Sequence, residues 1–140
     1  MIRKVVVICS ITILIVGLRF AFGKTDHGIE SVSLMQLIVN PDKYQDKHVR
    51  VIGVSRIEFE GNAIFFTKEH YENRVSENSL WIEPDYKVLE STPQQLKEFN
   101  GKYVLVEGVF NKNNKGHFAM NSGALEDITR FELMEKSRTE

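Results

Sequence analysis

One stretch of this chain occurs twice. Residues 46–54 read DKHVRVIGV and residues 101–109 read GKYVLVEGV. Each copy has a turn residue and a Lys, then a His or aromatic, Val-x-Val, one more residue, Gly and Val. Two β-rich runs broken by glycine at the same place indicate one type of element used twice. A short helical signal precedes each copy, so the repeating unit is helix, turn and long strand. A long strand with a central glycine suits a small barrel, in which a strand must bend to serve two sheets and glycine marks the bend or bulge. Gly53 and Gly108 are therefore the expected structural corners, with a positive φ as the reason for glycine.

The chain begins with an address. Met1-Ile-Arg-Lys is a basic n-region and Val5–Leu18 an apolar run of signal-peptide length. Ala21 and Gly23 offer small residues for cleavage after Gly23. The alternative is an uncleaved anchor, against which Arg19 cuts the run short of the roughly 20 apolar residues a span needs. Cys9 lies inside the run behind bulky Ile8, a poor lipidation site. The expected organisation is signal peptide 1–23, linker 24–32, one domain over 33–134 and a polar tail at 135–140, in a protein that is periplasmic or secreted and meets a membrane only through the uncleaved signal.

Losing Arg3, Lys4 and Arg19, and no acid, takes the net charge from −1 to −4. A mildly acidic domain disfavours nucleic acid, whose affinity rests on clustered Lys and Arg. The only cysteine leaves with the signal, so an ordinary apolar core rather than disulfides must hold the fold.

Ser33-Leu-Met-Gln36 and Thr92-Pro-Gln-Gln95 are capping boxes that start helices at Leu34 and Pro93. Strands are expected over His48–Phe59, Ala63–Thr67, Leu80–Glu83 and Lys102–Asn111, with His117–Asn121 as the return strand of a final hairpin. In 124–134 the first half reads as a turn or helix and the second as a closing strand. Residues 68–78 read as a loop with one helical turn.

This order, three strands, a helix and two strands with a closing segment, predicts a mainly β fold with short helices: a five- to six-stranded OB-like barrel preceded by a short helix. A different small barrel, or an α+β sandwich of two helix-plus-sheet halves, is the alternative. Over 33–134 the element order resembles the small periplasmic bacterial OB-fold proteins, which also carry a signal peptide and a leading helix. The phrases NPDKY, KYVLVEG, GHF and SGAL-DIT also resemble an uncharacterised family of exported bacterial proteins, which implies no activity.

No nucleophile elbow, P-loop, dinucleotide fingerprint or zinc-protease motif is present, so the expectation is a non-enzymatic module without cofactor or metal. His27, His48, His70 and His117 are isolated, although a barrel end would let His48 and His117 meet. Alternation puts Trp81 and Phe65 on the outer face of the second and third barrel strands, where OB-folds hold ligands, with Lys68 and Tyr71 beside them. These four are the candidate ligand residues; the competing reading buries Trp81 under the 68–78 loop as satellite core. The expected function is an exported binding module of the bacterial envelope for a small molecule, glycan or protein. Its alternative is an inhibitor or immunity-type protein that neutralises an exported partner.

Overall fold

The computed structural model describes residues 28–134. The signal segment, Cys9, His27 and the 135–140 tail lie outside the described residues. Six strands follow in chain order: β1 (Glu30–Ser31), β2 (His48–Arg56), β3 (Ala63–Phe65), β4 (Ser79–Ile82), β5 (Tyr103–Asn111) and β6 (Ala124–Leu133). Four short helices accompany them: α1 (Leu34–Val39), α2 (Pro41–Tyr44), α3 (Lys68–Glu72) and α4 (Pro93–Lys97). Strand β2 pairs with β3 and β5, β3 with β4, β4 in parallel with β6, and β6 with β5. Five strands thus close into a barrel with the OB-like order, as its element order predicts. Within the stretch read as linker, β1 runs parallel to the start of β2 and covers the part of that edge which β3 does not reach.

The two copies of the repeat meet each other. They pair antiparallel with Val51 opposite Val106, so Gly53 faces Val104 and Gly108 faces Val49. Each glycine therefore sits opposite the first valine of the other copy. Inward-facing Val49, Val51, Val104 and Val106 are essentially inaccessible and form the core with Ile64, Leu80, Ile82, Phe110, Leu125 and Ile128.

Both glycines are required, but for a different reason from the expected one. Neither has a positive φ; among the described residues the glycines that do are Gly101 and Gly116. A Cβ on Gly53 would lie 2.6 Å from Ile64 Cγ1 and 2.7 Å from the Phe65 carbonyl oxygen, and one on Gly108 would lie 2.7 Å from the Glu126 carbonyl oxygen. Each absent side chain lets the next barrel strand cross closely. Gly108 also stands at a bulge: the pairing passes from Glu107↔Arg130 to Val109↔Glu126, so three β6 residues, Asp127–Thr129, stand opposite Gly108 alone, with Asp127 at φ 46°. The bulge turns Ile128 inward out of the two-residue phase that Leu125 and Phe131 keep. The helix-like spacing in 124–134 follows from the bulge, and the whole run is strand.

Both capping boxes form, with Gln36 and Gln95 closing reciprocally on Ser33 and Thr92. Leu34, Leu37 and Tyr44 of α1 and α2 are buried in the core, and the chain after α2 bonds to the end of β5. Leu96 and Phe99 serve the opposite end, where Asn100 makes two hydrogen bonds to the Ile57 backbone and the following loop pairs with Ser55.

On the outer face of β2, β5 and β6 lies a charge ladder. Buried Glu107 accepts from Arg50 Nε at 2.6 Å and Arg130 Nη1 at 3.2 Å, and Arg130 also donates to Glu132 at 2.6 Å. Burial alone would raise the Glu107 carboxyl, but the bonds from Arg50 and Arg130 hold it below its usual value of 4.5. A depressed folded pKa stabilises fully above the unfolded value and is lost as pH falls through the folded one. Thermal melts between pH 7 and about pH 3 should therefore show a steeper loss of Tm for the wild type than for Glu107→Gln, with the divergence confined to pH below 4.5. Parallel profiles would show that the ladder contributes nothing.

Candidate ligand-binding cleft

A cleft of about 210 Å³ opens on the outer face of β3 and β4, between the β2–β3 loop (57–62) and the β5–β6 loop (112–123). Register creates its floor. Val54 pairs with Phe65, Arg56 with Ala63, Ala63 with Trp81 and Phe65 with Ser79, so these side chains share the outward side of three strands. Glu58, Glu60 and Gly61 enter from the first loop, Gly116 packs beside Trp81, and His117, Phe118, Met120 and Asn121 enter from the second.

The β5–β6 loop is where strand reasoning fails. His117–Ala119 is a 3₁₀ turn rather than a return strand, and the hairpin partner of β5 is β6. The asparagines explain this, since their side chains compete with the ladder for backbone groups. Asn111 Oδ1 accepts from the Asn113 N–H and Asn114 Oδ1 from the Gly116 N–H, while Asn114 Nδ2 donates to Glu83 and Glu126. Buried Asn121 donates to Ser79 Oγ at 2.6 Å, and Ser122 Oγ donates to the Glu77 carbonyl. The loop is thereby tied to β4, yet its tip is strained: Phe118 and Ala119 both take left-handed φ, at 58° and 53°. The strain turns Phe118 outward, 82% exposed.

The four candidate residues separate into two pairs. Trp81 and Phe65 both border the cleft, whereas Lys68 and Tyr71, on α3, are not among its lining. Phe65 is only 1% exposed, beneath Tyr71 in an edge-to-face contact at 5.9 Å. Trp81 is half-buried and does lie under a loop, but the β5–β6 loop rather than residues 68–78. A Cβ on Gly116 would stand 2.5 Å from its indole, and Nε1 donates to Glu83 at 3.1 Å. Trp81→Ala should accordingly cost about 1–2 kcal/mol, below the ~3–5 of a fully enclosed aromatic, measured by urea unfolding; a loss at the upper value would make it core.

Arg56 escaped sequence reasoning. Its guanidinium sits in the corner formed by the edge-to-face pair of Phe65 and Tyr71, 4.5 Å from the Phe65 centroid and 4.7 Å from that of Tyr71, and Nη2 donates to the Tyr71 carbonyl at 2.6 Å. Arg74 and Glu58 approach to 3.7 Å, and His117 Nε2 lies 3.3 Å from Glu60 Oε2, an ion pair across the two loops when the imidazole is protonated. The signal was present: Arg56 has the outward parity of Val54 in a strand expected to border the ligand face.

Compared with protein-family models, with curated proteins and with solved structures, the chain matches none.

The OB-like barrel is thus established by strand order and pairing alone. Among the described residues no three His, Cys, Asp or Glu side chains gather as a metal site, and no helix is long and apolar enough to cross a membrane. His48 and His117 have different partners, Thr129 for the first and Glu60 for the second. The cleft can offer a ligand ring faces, guanidinium donors and carboxylate acceptors.

Proposed function

We propose that the chain is an exported, non-enzymatic binding module of the bacterial envelope that holds its ligand in the cleft over β3 and β4. The observation that supports this is the convergence of Trp81, Phe118, Arg56 and Arg74 at one concavity between the two loops that frame the ligand face of OB-folds. Export is supported by the basic Met1–Lys4 and the apolar run to Leu18. The test is a titration of the isotope-labelled protein with fractionated envelope extract. The amides of Gly61, Ala63, Trp81 and Asn121 are expected to shift first; shifts confined to Arg50 and Ile52, on the face of the charge ladder, would overturn the reading. Sequencing of the exported protein should begin at Lys24.

A second reading, an inhibitor or immunity-type protein that grips a protein partner, is favoured by the cleft's surroundings. Phe59 in the β2–β3 loop is 88% exposed, and Phe118 and Met120 in the β5–β6 loop are 82% and 56% exposed. Exposed aromatics at a concave rim are the usual anchors of protein interfaces. Substituting Ser for Phe59, which does not line the cleft, would then weaken capture of the partner while leaving small-molecule binding in the cleft intact.

A further inference from the structure

Arg56 is the only buried Lys or Arg among the described residues, with a side chain 10% exposed. A buried cation is costly unless charge and hydrogen bonds compensate it. Here the compensation is partial. One hydrogen bond leads to the Tyr71 carbonyl, the rings of Phe65 and Tyr71 lie 4.5 and 4.7 Å away on neighbouring sides, and the approach of Nε to Glu58 is 3.9 Å, beyond hydrogen-bond distance. Glu58 is also shared, because Arg74 lies 3.7 Å from the same oxygen. Two guanidinium groups therefore share one carboxylate on this wall, and neither reaches it within hydrogen-bond distance. Glu60 also lines the cleft, 3.3 Å from His117 Nε2, so the two arginines and two glutamates balance. It is the unused N–H groups of Arg56 rather than a net charge that call for an acceptor.

We propose that the cleft binds a small organic carboxylate, its anionic end on Arg56 and Arg74 and its flat or apolar body against Trp81 and Phe118. This rests on the reading of the cleft as the ligand site. A guanidinium presents parallel N–H groups that match the two oxygens of a carboxylate. Glu58 and Glu60 line the same cleft, so a monoanion meets less repulsion there than a phosphate dianion would. The ring-lined remainder accepts a planar or aliphatic body, and the small volume limits that body to about one ring, below the ~300 Å³ at which drug-sized pockets begin.

Trp81 is the chain's single tryptophan, so its fluorescence reports on the cleft directly. The probes are two acid–amide pairs: D-glucuronate against D-glucuronamide for an acidic sugar, and N-acetylphenylalanine against its amide for a peptide C-terminus. At least one acid is expected to change the Trp81 emission and to bind about tenfold more tightly than its amide, the difference shrinking as salt is raised. The pair that responds identifies the source of the carboxylate. Arg74→Gln, at a side chain 70% exposed and so tolerant of change, should weaken the acid severalfold and leave the amide unaffected. Arg56→Lys should weaken the acid further in whatever fraction remains folded. Equal binding of acid and amide would overturn the carboxylate while the cleft survives as a ligand site. Absence of any response to either pair would overturn the carboxylate too, and the extract titration then decides the cleft separately.

Discussion

Gly53→Val is expected to cost about 3 kcal/mol or to abolish folding. Backbone conformation is not the cause, because Gly53 lies outside the left-handed region. The new Cβ would meet Ile64 Cγ1 at 2.6 Å and the Phe65 carbonyl oxygen at 2.7 Å. The isoleucine has nowhere to go in a core with no accessible surface at that point, and the carbonyl belongs to β3, beside which Val54 pairs with Phe65. Relief would require β3 to move away from β2, opening the barrel where Trp81 and Phe65 are positioned. Gly61→Ala is the informative control. The three atoms nearest to a Cβ there all belong to the Glu58 side chain, the closest at 2.5 Å, and that half-exposed side chain can swing aside. Its cost should stay within about 0.5 kcal/mol. Urea unfolding of both variants checks the argument, and equal stabilities would refute the claim that strand crossing requires Gly53.

Phe65→Ala should also be severe, at about 3–5 kcal/mol. Phe65 is 1% exposed and forms, with Val54, Ala63 and Tyr71, a second apolar cluster outside the barrel. It also supplies one of the two rings that hold the Arg56 guanidinium, so truncation removes apolar contacts and uncovers a buried charge at once. A ligand residue would behave differently, losing binding with little change in Tm. If Phe65→Ala unfolds at the wild-type urea concentration and only ligand binding suffers, Phe65 belongs to the recognition surface rather than to its foundation. The contrast with Trp81→Ala separates the two aromatics that alternation alone assigns the same role.

Residues 46–54 and 101–109 determine much of this protein by local chemistry. Val-x-Val followed by glycine favours strands that must pass close to a neighbour, and the capping boxes at Ser33 and Thr92 start helices wherever the chain places them. Such signals depend on residues within a few positions of each other, so they survive reading in one dimension. The outward parity of Trp81 and Phe65 is legible for the same reason.

What the sequence leaves undecided is set by partners distant along the chain. Strand β6 reads as part helix because its bulge matters only when Gly108 lies across from it. The 117–121 run resembles a return strand until Asn114, Asn121 and Ser122 find Glu83, Ser79 and Glu77. Burial of Phe65 depends on Tyr71 folding over it, and the role of Arg56 depends on both rings and on Glu58 being shared with Arg74. Alternation tells which side of a sheet a residue faces; only the closed barrel and its two loops decide whether that side is covered, open or charged.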